Sequence, residues 1–362
     1  MGKRILLATM CAAVTLATSC RENHDATVGA DAGVTDAGGA SDAGGVDAGA
    51  MDGGDGAIID AGPACDAGTT MFTVPITDPA LLDRIVPLGS VSGNEIKPHT
   101  FLQWSDGGSR AIYAPIAAAL TSIAYYNEGG LNQYLLEFQV NCAVRFRLDH
   151  VSDPIAAIRA VGPQDAGLTT AGASPTAPFY VDAGDLIATT TVWSFDHGVY
   201  NTAKVNVFGN NARYEWSGGT NYLNSDCPYD YYEAATKAAF YVKFGMFGMA
   251  AGGCGSCRSA SQDVAGSLAG AWFLAPDGGT FGDRIAVTAD CDKSVLIAGL
   301  GDQTIGAADA GDPATVTTEA CYADSTRFAY LKVLSPSSIG IVFDAGVCPA
   351  GFPDAGYTIW YR

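Results

Sequence analysis

The sequence predicts a mainly β protein, with two β regions joined by one helix and preceded by a disordered tether. From Met71 onward, short runs alternate apolar and polar residues, which is the period of half-buried strands. Within residues 229–247, apolar residues instead recur at three- and four-residue steps, which predicts a helix. Residues 21–70 hold nine Asp among Gly and Ala and no aromatic residue. Such a segment buries too little apolar surface to offset its ordering entropy, so we expect it to be disordered.

The folded part divides into a β region at 71–208, a helical connector at 209–263 and a smaller β region at 264–362. In the first region we expect strands at 133–140, 142–148, 192–195 and 203–208, and a further one at Tyr113. In the last region we expect strands at 271–274, 285–288, 295–300, 328–333, 339–343 and 357–361. A cluster of tyrosines (Tyr222, Tyr229, Tyr231, Tyr232) with Trp216 is interpreted either as core or as the lining of a ligand groove.

The first 20 residues have the pattern of an export signal. Lys3 and Arg4 precede an apolar run at 5–18, and small residues follow. These fourteen residues are too few for a membrane span, which needs roughly 20. The cysteine that ends this pattern, Cys20, resembles the lipobox cysteine of bacterial lipoproteins. The resemblance implies cleavage before Cys20, acylation (palmitate) and a membrane anchor, with a plain cleaved secretory signal as the alternative. Arg21 after the cysteine favours the outer membrane of a Gram-negative bacterium.

The charge balance excludes some partners. The chain has 38 acidic and 19 basic residues and a net charge of −19, much of it in the tether. A chain this acidic is a poor ligand for nucleic acid or for an anionic membrane surface. Contact with the membrane is therefore expected only through the lipid anchor.

Eight cysteines follow Cys20, at positions 65, 142, 227, 254, 257, 291, 321 and 348. An even number in an exported chain predicts structural disulfides, up to four of them. The segment Cys254-Gly-Ser-Cys257 has two other interpretations, half of a zinc site or a redox pair, although no second Cys-x-x-Cys completes a zinc site.

A series of short motifs runs through residues 85–208. In chain order these motifs are Ile96-Lys-Pro-His99, Ile112-Tyr-Ala-Pro, Leu148-Asp-His150, Val181-Asp-Ala-Gly-Asp-Leu-Ile187 and Trp193-Ser-Phe-Asp-His-Gly-Val199. Together they resemble the lysostaphin-type (LytM-like) zinc metallopeptidases. The resemblance implies a β domain whose active form holds zinc with an H-x-x-x-D pair and the last histidine of an H-x-H pair.

The residues at those positions are incomplete as a zinc site. His99 matches the first ligand, but Gln103 stands where the aspartate belongs, and His150 matches a catalytic histidine. The H-x-H position allows two registers. In one register Asp196 and Gly198 replace both histidines, and in the other His197 keeps the ligand. A catalytic zinc needs three protein ligands and an open position for water.

We therefore expect no cofactor and a non-catalytic, peptidase-like domain that binds peptidoglycan or another envelope partner. The alternative is a zinc-dependent cell-wall endopeptidase with His99, His197 and Asp106 as ligands and His150 as base. A structural or adhesive surface lipoprotein is a second alternative. Neighbouring side chains in a strand point to opposite faces of the sheet. We therefore expect Asp149 and His150 to lie on opposite faces, and likewise Asp196 and His197.

Overall fold

The computed structural model describes residues 70–92, 95–215, 219–246, 251–276, 284–291, 295–299, 304–307 and 311–362. The predicted signal peptide, Cys20 and the tether up to residue 69 lie outside the described residues, as does Trp216. Within the described part, the chain forms 21 strands and three α-helices, which confirms the prediction of a mainly β fold. None of its helices has the length and apolar character that crossing a membrane requires.

The first β region and the connector contain thirteen strands and all three α-helices of the described residues. The strands are β1 (Arg84–Val86), β2 (Val91–Ser92), β3 (Glu95–Ile96), β4 (Thr100–Gln103), β5 (Arg110–Tyr113), β6 (Ala118–Glu128), β7 (Leu131–Gln139), β8 (Val144–Val151), β9 (Asp153–Pro154), β10 (Tyr180–Val181), β11 (Leu186–Thr190), β12 (Ser194–Asn201) and β13 (Ser225–Asp226). The helices are α1 (Ala156–Val161), α2 (Thr220–Asn224) and α3 (Ala234–Tyr241).

An eight-stranded antiparallel sheet dominates this region. Seven strands follow the order β1-β4-β12-β8-β7-β6-β10, and β13 pairs with β12. A three-stranded sheet, β5-β11-β9, and the connector pack against one face of it. The buried cluster between these layers includes Leu102, Phe146, Leu148, Phe195, Ile112, Ile187, Tyr229 and Phe240. The central strand β12 is buried along almost its whole length, which explains why its sequence does not alternate cleanly.

The predicted helix at 229–247 is shorter in the structure. A 3₁₀ turn at Pro228–Tyr231 precedes α3, and the chain leaves the helix after Tyr241. There it pairs with β1, because Ile85 N–H donates to the Lys243 carbonyl at 2.8 Å and Gly245 N–H donates to the Ile85 carbonyl at 3.0 Å. Pairing with a sheet edge thus overrides the helical periodicity. The tyrosines of the cluster are all buried, which supports the core interpretation.

The strand predicted at 203–208 is wrong. Residues 204–208 form no ladder, because the Asn206 side chain holds this segment instead. Its amide nitrogen donates to the carbonyls of Tyr222 (2.8 Å) and Ser225 (2.9 Å). A side-chain amide of this kind competes with a strand's backbone hydrogen bonds.

The last β region forms a second eight-stranded antiparallel sheet with its own core. Its strands are β14 (Gly270–Phe273), β15 (Arg284–Ala289), β16 (Val295–Ala298), β17 (Thr304–Ala307), β18 (Glu319–Ala323), β19 (Arg327–Ser335), β20 (Ser338–Ala345) and β21 (Thr358–Tyr361). Their order is β17-β16-β15-β14-β21-β20-β19-β18, and the end strands β17 and β18 come into contact, so the sheet is nearly closed. All six predicted runs correspond to strands, whereas β17 and β18 were not predicted because small residues dominate them.

Three disulfides are present among the described residues, which confirms the prediction of disulfide bonding. They join Cys227 to Cys257, Cys254 to Cys291, and Cys321 to Cys348. Cys254 and Cys257 thus pair with different partners, so the zinc and redox interpretations of Cys-x-x-Cys are wrong.

A buried ionic cluster links the two β regions. The Glu95 carboxylate on β3 accepts from Arg284 on β15, from the Tyr222 hydroxyl (2.7 Å) and from the Lys97 ammonium. Glu95, Lys97 and Arg284 are each less than a tenth exposed. Each charge therefore has a partner inside the interface between the regions.

Candidate functional site

Three adjacent strands of the first sheet, β4, β12 and β8, bring the predicted site residues together. Asp196 on β12 pairs with Phe101 on one side and Asp149 on the other, and Ser194 pairs with Gln103. Directly opposed residues share a face of the sheet. The face that carries Asp196 lies opposite the large core, and it is called the site face below.

The carboxylate of Asp196 lies between two histidines. Its Oδ2 is 2.9 Å from His99 Nε2 and 3.6 Å from His150 Nε2. Asp196 is 3% exposed and His99 5%, whereas the His150 side chain keeps 19% of its surface exposed. The structure therefore brings the predicted site residues His99 and His150 together around Asp196. The sequence analysis considered Asp196 only as the residue that replaces the first histidine of the H-x-H pair.

His150 reaches this group through an unusual backbone conformation. Its φ is 60°, and it is the one residue other than glycine with positive φ among the described residues. Its N–H donates to Asp149 Oδ1 at 2.9 Å, and the β7–β8 register shifts nearby, between Tyr134 and Leu136. The left-handed conformation breaks the alternation of a regular strand. The expectation that Asp149 and His150 point to opposite faces is therefore wrong, since their side chains meet beside Asp196.

The other ring nitrogen of His150 is held by Gln133. Gln133 Oε1 lies 2.8 Å from His150 Nδ1, and the Gln133 amide nitrogen donates to the Glu128 carbonyl at 3.4 Å. That second bond orients the amide with its oxygen toward the imidazole, so Nδ1 donates to it. The Glu128 carboxylate lies 3.6 Å from the same nitrogen. In the neutral tautomer Nε2 then presents a lone pair toward Asp196.

Asp149 is occupied by donors from its own surroundings. Tyr126 Oη donates to Oδ1 at 2.6 Å, and an Arg147 nitrogen donates to Oδ2 at 2.6 Å. With the His150 N–H, the fully buried carboxylate accepts three hydrogen bonds. Burial and then the charge of Asp149 raise the pKa of Tyr126 well above its ordinary value, so the phenol stays a donor.

His197 lies on the opposite face from Asp196. Its ring packs edge-on against Tyr229, with 6.0 Å between ring centroids, inside the large core. Burial lowers the pKa of His197 to about 3, so the ring is neutral. Neither ring nitrogen has a hydrogen-bond partner. The structure thus does not bring His197 together with His99 and His150.

Asp106 also lies away from the site face. Its carboxylate is 62% exposed and forms a bidentate pair with Arg110, both contacts at 2.8 Å. This interaction lowers the pKa of Asp106. The structure does not place it near the other candidate ligands.

The site face also holds polar groups without hydrogen-bond partners. Both amide atoms of Gln103, which is 2% exposed, and the Ser194 hydroxyl have none. At Gly198 a Cβ would come within 2.6 Å of Tyr200 Oη and 3.3 Å of the His99 Cβ. Tyr200 therefore fills the position that a side chain at 198 would take. Burial raises the pKa of Tyr200 to about 12.

Sequence reasoning missed Tyr126, Gln133, Glu128 and Asp149 as parts of the site. The hairpin signal Glu128-Gly-Gly-Leu131 offered a way to find two of them, since a tight turn there sets the β6–β7 register. In that register Tyr126 and Gln133 are direct partners. No short sequence pattern indicates that these residues lie next to the site residues of β8 and β12.

Comparisons of the chain with protein-family models, curated proteins and solved structures give no match.

Proposed function

We propose that this chain is a lipid-anchored protein of the cell envelope whose first β region binds a cell-wall or surface partner without cleaving it. One observation carries the proposal. At the positions that the LytM-like resemblance assigns to zinc ligands, the site face has Gln103 and Gly198, and Tyr200 occupies the space beside Gly198. A side chain cannot enter there unless Tyr200 moves.

The histidines of the site face do not make up for this loss. A hydrolytic zinc site needs three ligands, an open position and a separate base for the attacking water. His99 and His150 both face the same oxygen of Asp196, and His197 lies in the core. Both histidines of the family's H-x-H pair are thus missing from the site face, where Asp196 and Gly198 stand instead.

Groups suited to binding do remain at this face. The Gln103 amide and the Ser194 hydroxyl on this face have no hydrogen-bond partner, and Trp193, which precedes Ser194 in the chain, has a side chain that is 58% exposed. An amide and a hydroxyl match the hydrogen-bonding groups of peptides and glycans, and an exposed indole offers a flat apolar surface for stacking. This combination supports a peptidoglycan-like partner.

The N-terminal features support the location. The predicted export signal ends at Cys20, and two or three acyl chains there would anchor the mature protein, since a single chain binds a membrane only marginally. A tether of 48 residues (21–68) reaches roughly 160 Å when extended, at about 3.3–3.6 Å per residue. The binding face can therefore contact a wall layer some distance from the bilayer.

Co-sedimentation of the full-length protein with purified peptidoglycan tests the proposal. We expect the protein in the pellet, no soluble fragments with Zn²⁺ present, and weaker sedimentation of Trp193→Ala. Tyr180→Ala is the matched control, because Tyr180 is 63% exposed on the edge strand β10, which lies four strands away from β12 in the sheet. Fragment release that disappears in His150→Ala would instead show the zinc endopeptidase. Absence from the pellet would favour the structural or adhesive alternative.

A further inference from the structure

We propose that Cys142, on the turn between β7 and β8, forms a fourth disulfide with Cys65 and so joins the predicted tether covalently to the first β region. This goes beyond the proposed function and takes from it only the export of the chain to an oxidising compartment, where disulfides persist. The pairing fixes the point at which the tether leaves the folded protein.

The set of cysteines leaves one partner for Cys142 within the mature chain. Among the described residues, Cys142 belongs to none of the three disulfides, which use Cys227, Cys254, Cys257, Cys291, Cys321 and Cys348. Cleavage of the predicted signal would remove Cys11, and acylation would block Cys20. Of the ten cysteines in the sequence, Cys65 then remains.

A hydrogen bond brings the chain that follows Cys65 to the turn that carries Cys142. Asn141 Nδ2 donates to Thr70 Oγ1 at 2.8 Å, and Asn141 is the neighbour of Cys142 in the chain. Cys65 precedes Thr70 by five residues, which span at most about 17 Å when extended. A disulfide needs two Cα atoms roughly 4.4–6.8 Å apart. A chain of five residues that starts beside Asn141 can place Cys65 at that distance from Cys142.

The chain is also held where it enters the first β region. Phe72 is fully buried in the large core, and its N–H donates to the Tyr231 carbonyl at 2.7 Å. Its ring packs edge-on against Phe146 of β8, with 6.3 Å between ring centroids. These contacts keep Thr70 beside the β7–β8 turn. Because a short loop costs little entropy to close, Cys65 is held at a high effective concentration near Cys142.

The β7–β8 turn has a fixed backbone and presents Cys142 to solvent. Asn141 Oδ1 accepts from the N–H groups of Ala143 and Val144, both at 2.9 Å. The Val140 N–H donates to the Val144 carbonyl, also at 2.9 Å. The Cys142 side chain is exposed. An exposed sulfur on such a turn is accessible to thiol–disulfide exchange.

The bond would form in two exchange steps. The thiolate of one cysteine attacks the disulfide of a thiol–disulfide oxidoreductase and gives a mixed disulfide, which the thiolate of the other cysteine then attacks. One Sγ–Sγ bond between Cys65 and Cys142 replaces two S–H bonds. The two protons pass to solvent, and the two electrons reduce the oxidoreductase to its dithiol.

The crosslink determines which end of the first sheet the tether holds. Cys142 precedes β8 and His150 lies near the end of that strand, about 26 Å further on at roughly 3.3 Å per residue. Asp196 and Gln133 lie at the His150 end as well. The free part of the tether, residues 21–64, still reaches roughly 150 Å at about 3.3–3.6 Å per residue. A pull through it acts on the β7–β8 turn and leaves the site residues at the end away from the anchor.

Peptide mapping without reduction tests the pairing. The exported protein is treated with N-ethylmaleimide to block any thiols, denatured and digested with trypsin. Cleavage after Arg21, Arg84, Arg110 and Arg145 gives one peptide with Cys65 (22–84) and one with Cys142 (111–145). We expect these two peptides as one crosslinked species from the monomer, which separates into both on reduction.

Cysteine variants supply a second readout. In Cys142→Ser the Cys65 thiol should react with N-ethylmaleimide, and in Cys65→Ser the Cys142 thiol should react, whereas neither reacts in the wild type. Cys321→Ser is the matched control, because it should expose the Cys348 thiol and leave Cys65 and Cys142 unlabelled.

Maleimide on Cys65 and Cys142 of the wild type would overturn the pairing, and so would a linked peptide found only in a covalent dimer. Loss of peptidoglycan binding with the crosslink intact would contradict the proposed function and leave the disulfide standing. Peptidoglycan binding by a protein that carries maleimide on both cysteines would do the reverse.

Discussion

The phenol oxygen of Tyr200 lies 2.6 Å from the position that a Cβ at Gly198 would occupy. Both residues belong to β12 and share its site face, so the strand period of two places them side by side. The lack of a side chain at 198 is therefore what lets Tyr200 lie across the face, next to His99. The observed position of Tyr200 therefore requires glycine at position 198.

Replacing Gly198 with Ala should destabilise the protein by about 1–3 kcal/mol, because the new methyl group overlaps the Tyr200 ring. Urea unfolding measures the loss. In a Tyr200→Phe background the cost should be smaller, since the closest atom is gone. Gly351→Ala is the control, because a Cβ there meets nothing within 4 Å. Equal stability of Gly198→Ala and wild type would contradict the overlap.

His197 should make stability depend on pH. Its folded pKa is about 3, below the ordinary value of 6.5, so the unfolded chain binds more protons between these pH values. The contribution of neutral His197 to the free energy of unfolding is fully present above pH 6.5. It is lost as the pH falls from 6.5 toward 3, by up to about 1.4 kcal/mol per pH unit.

Unfolding of His197→Phe at pH 7, 5 and 4 isolates this contribution. The variant should lose less stability than wild type over that range, because phenylalanine fills the site beside Tyr229 without titrating. His24→Gln should keep the wild-type dependence. Parallel pH profiles for wild type and His197→Phe would argue against a neutral buried imidazole.

Glu95→Gln should cost roughly 3–5 kcal/mol, because it leaves the Arg284 and Lys97 charges buried without their carboxylate. Urea unfolding with probes in both β regions measures the loss. Lys332→Gln is the matched control. It breaks an ion pair with Glu319 (3.7 Å, 44% and 36% exposed), which is worth less than about 1 kcal/mol. Similar losses in the two variants would refute a buried linking role for Glu95.

Cys20→Ala should leave an unprocessed or soluble protein, since the predicted acylation site is removed. Membrane fractionation and the mass of the mature protein measure the effect. Cys11→Ala is the matched control, because Cys11 lies within the apolar run and should not be acylated. A Cys20→Ala protein that still matures and stays with the membrane would rule out the lipoprotein interpretation.

Local patterns predicted the fold class well. Alternation at 142–148, 328–333 and 339–343 predicted strands that correspond to β8, β19 and β20, because burying one face of a sheet imposes a period of two. The same reasoning failed at 203–208 and at the end of the helix predicted for 229–247. There the Asn206 amide and pairing with β1, respectively, decided the conformation. Both depend on residues distant in the chain.

The sequence alone determined the β-rich class, the acidic balance, the number of cysteines and the histidine positions, because composition and period are local properties. Only the tertiary structure decided that Cys254 and Cys257 take separate partners, that His197 enters the core, and that Asp196 lies between His99 and His150. The reason is strand register. A shift of one residue, or a single left-handed φ as at His150, reverses the face on which a side chain lies, and no neighbouring residue encodes that choice.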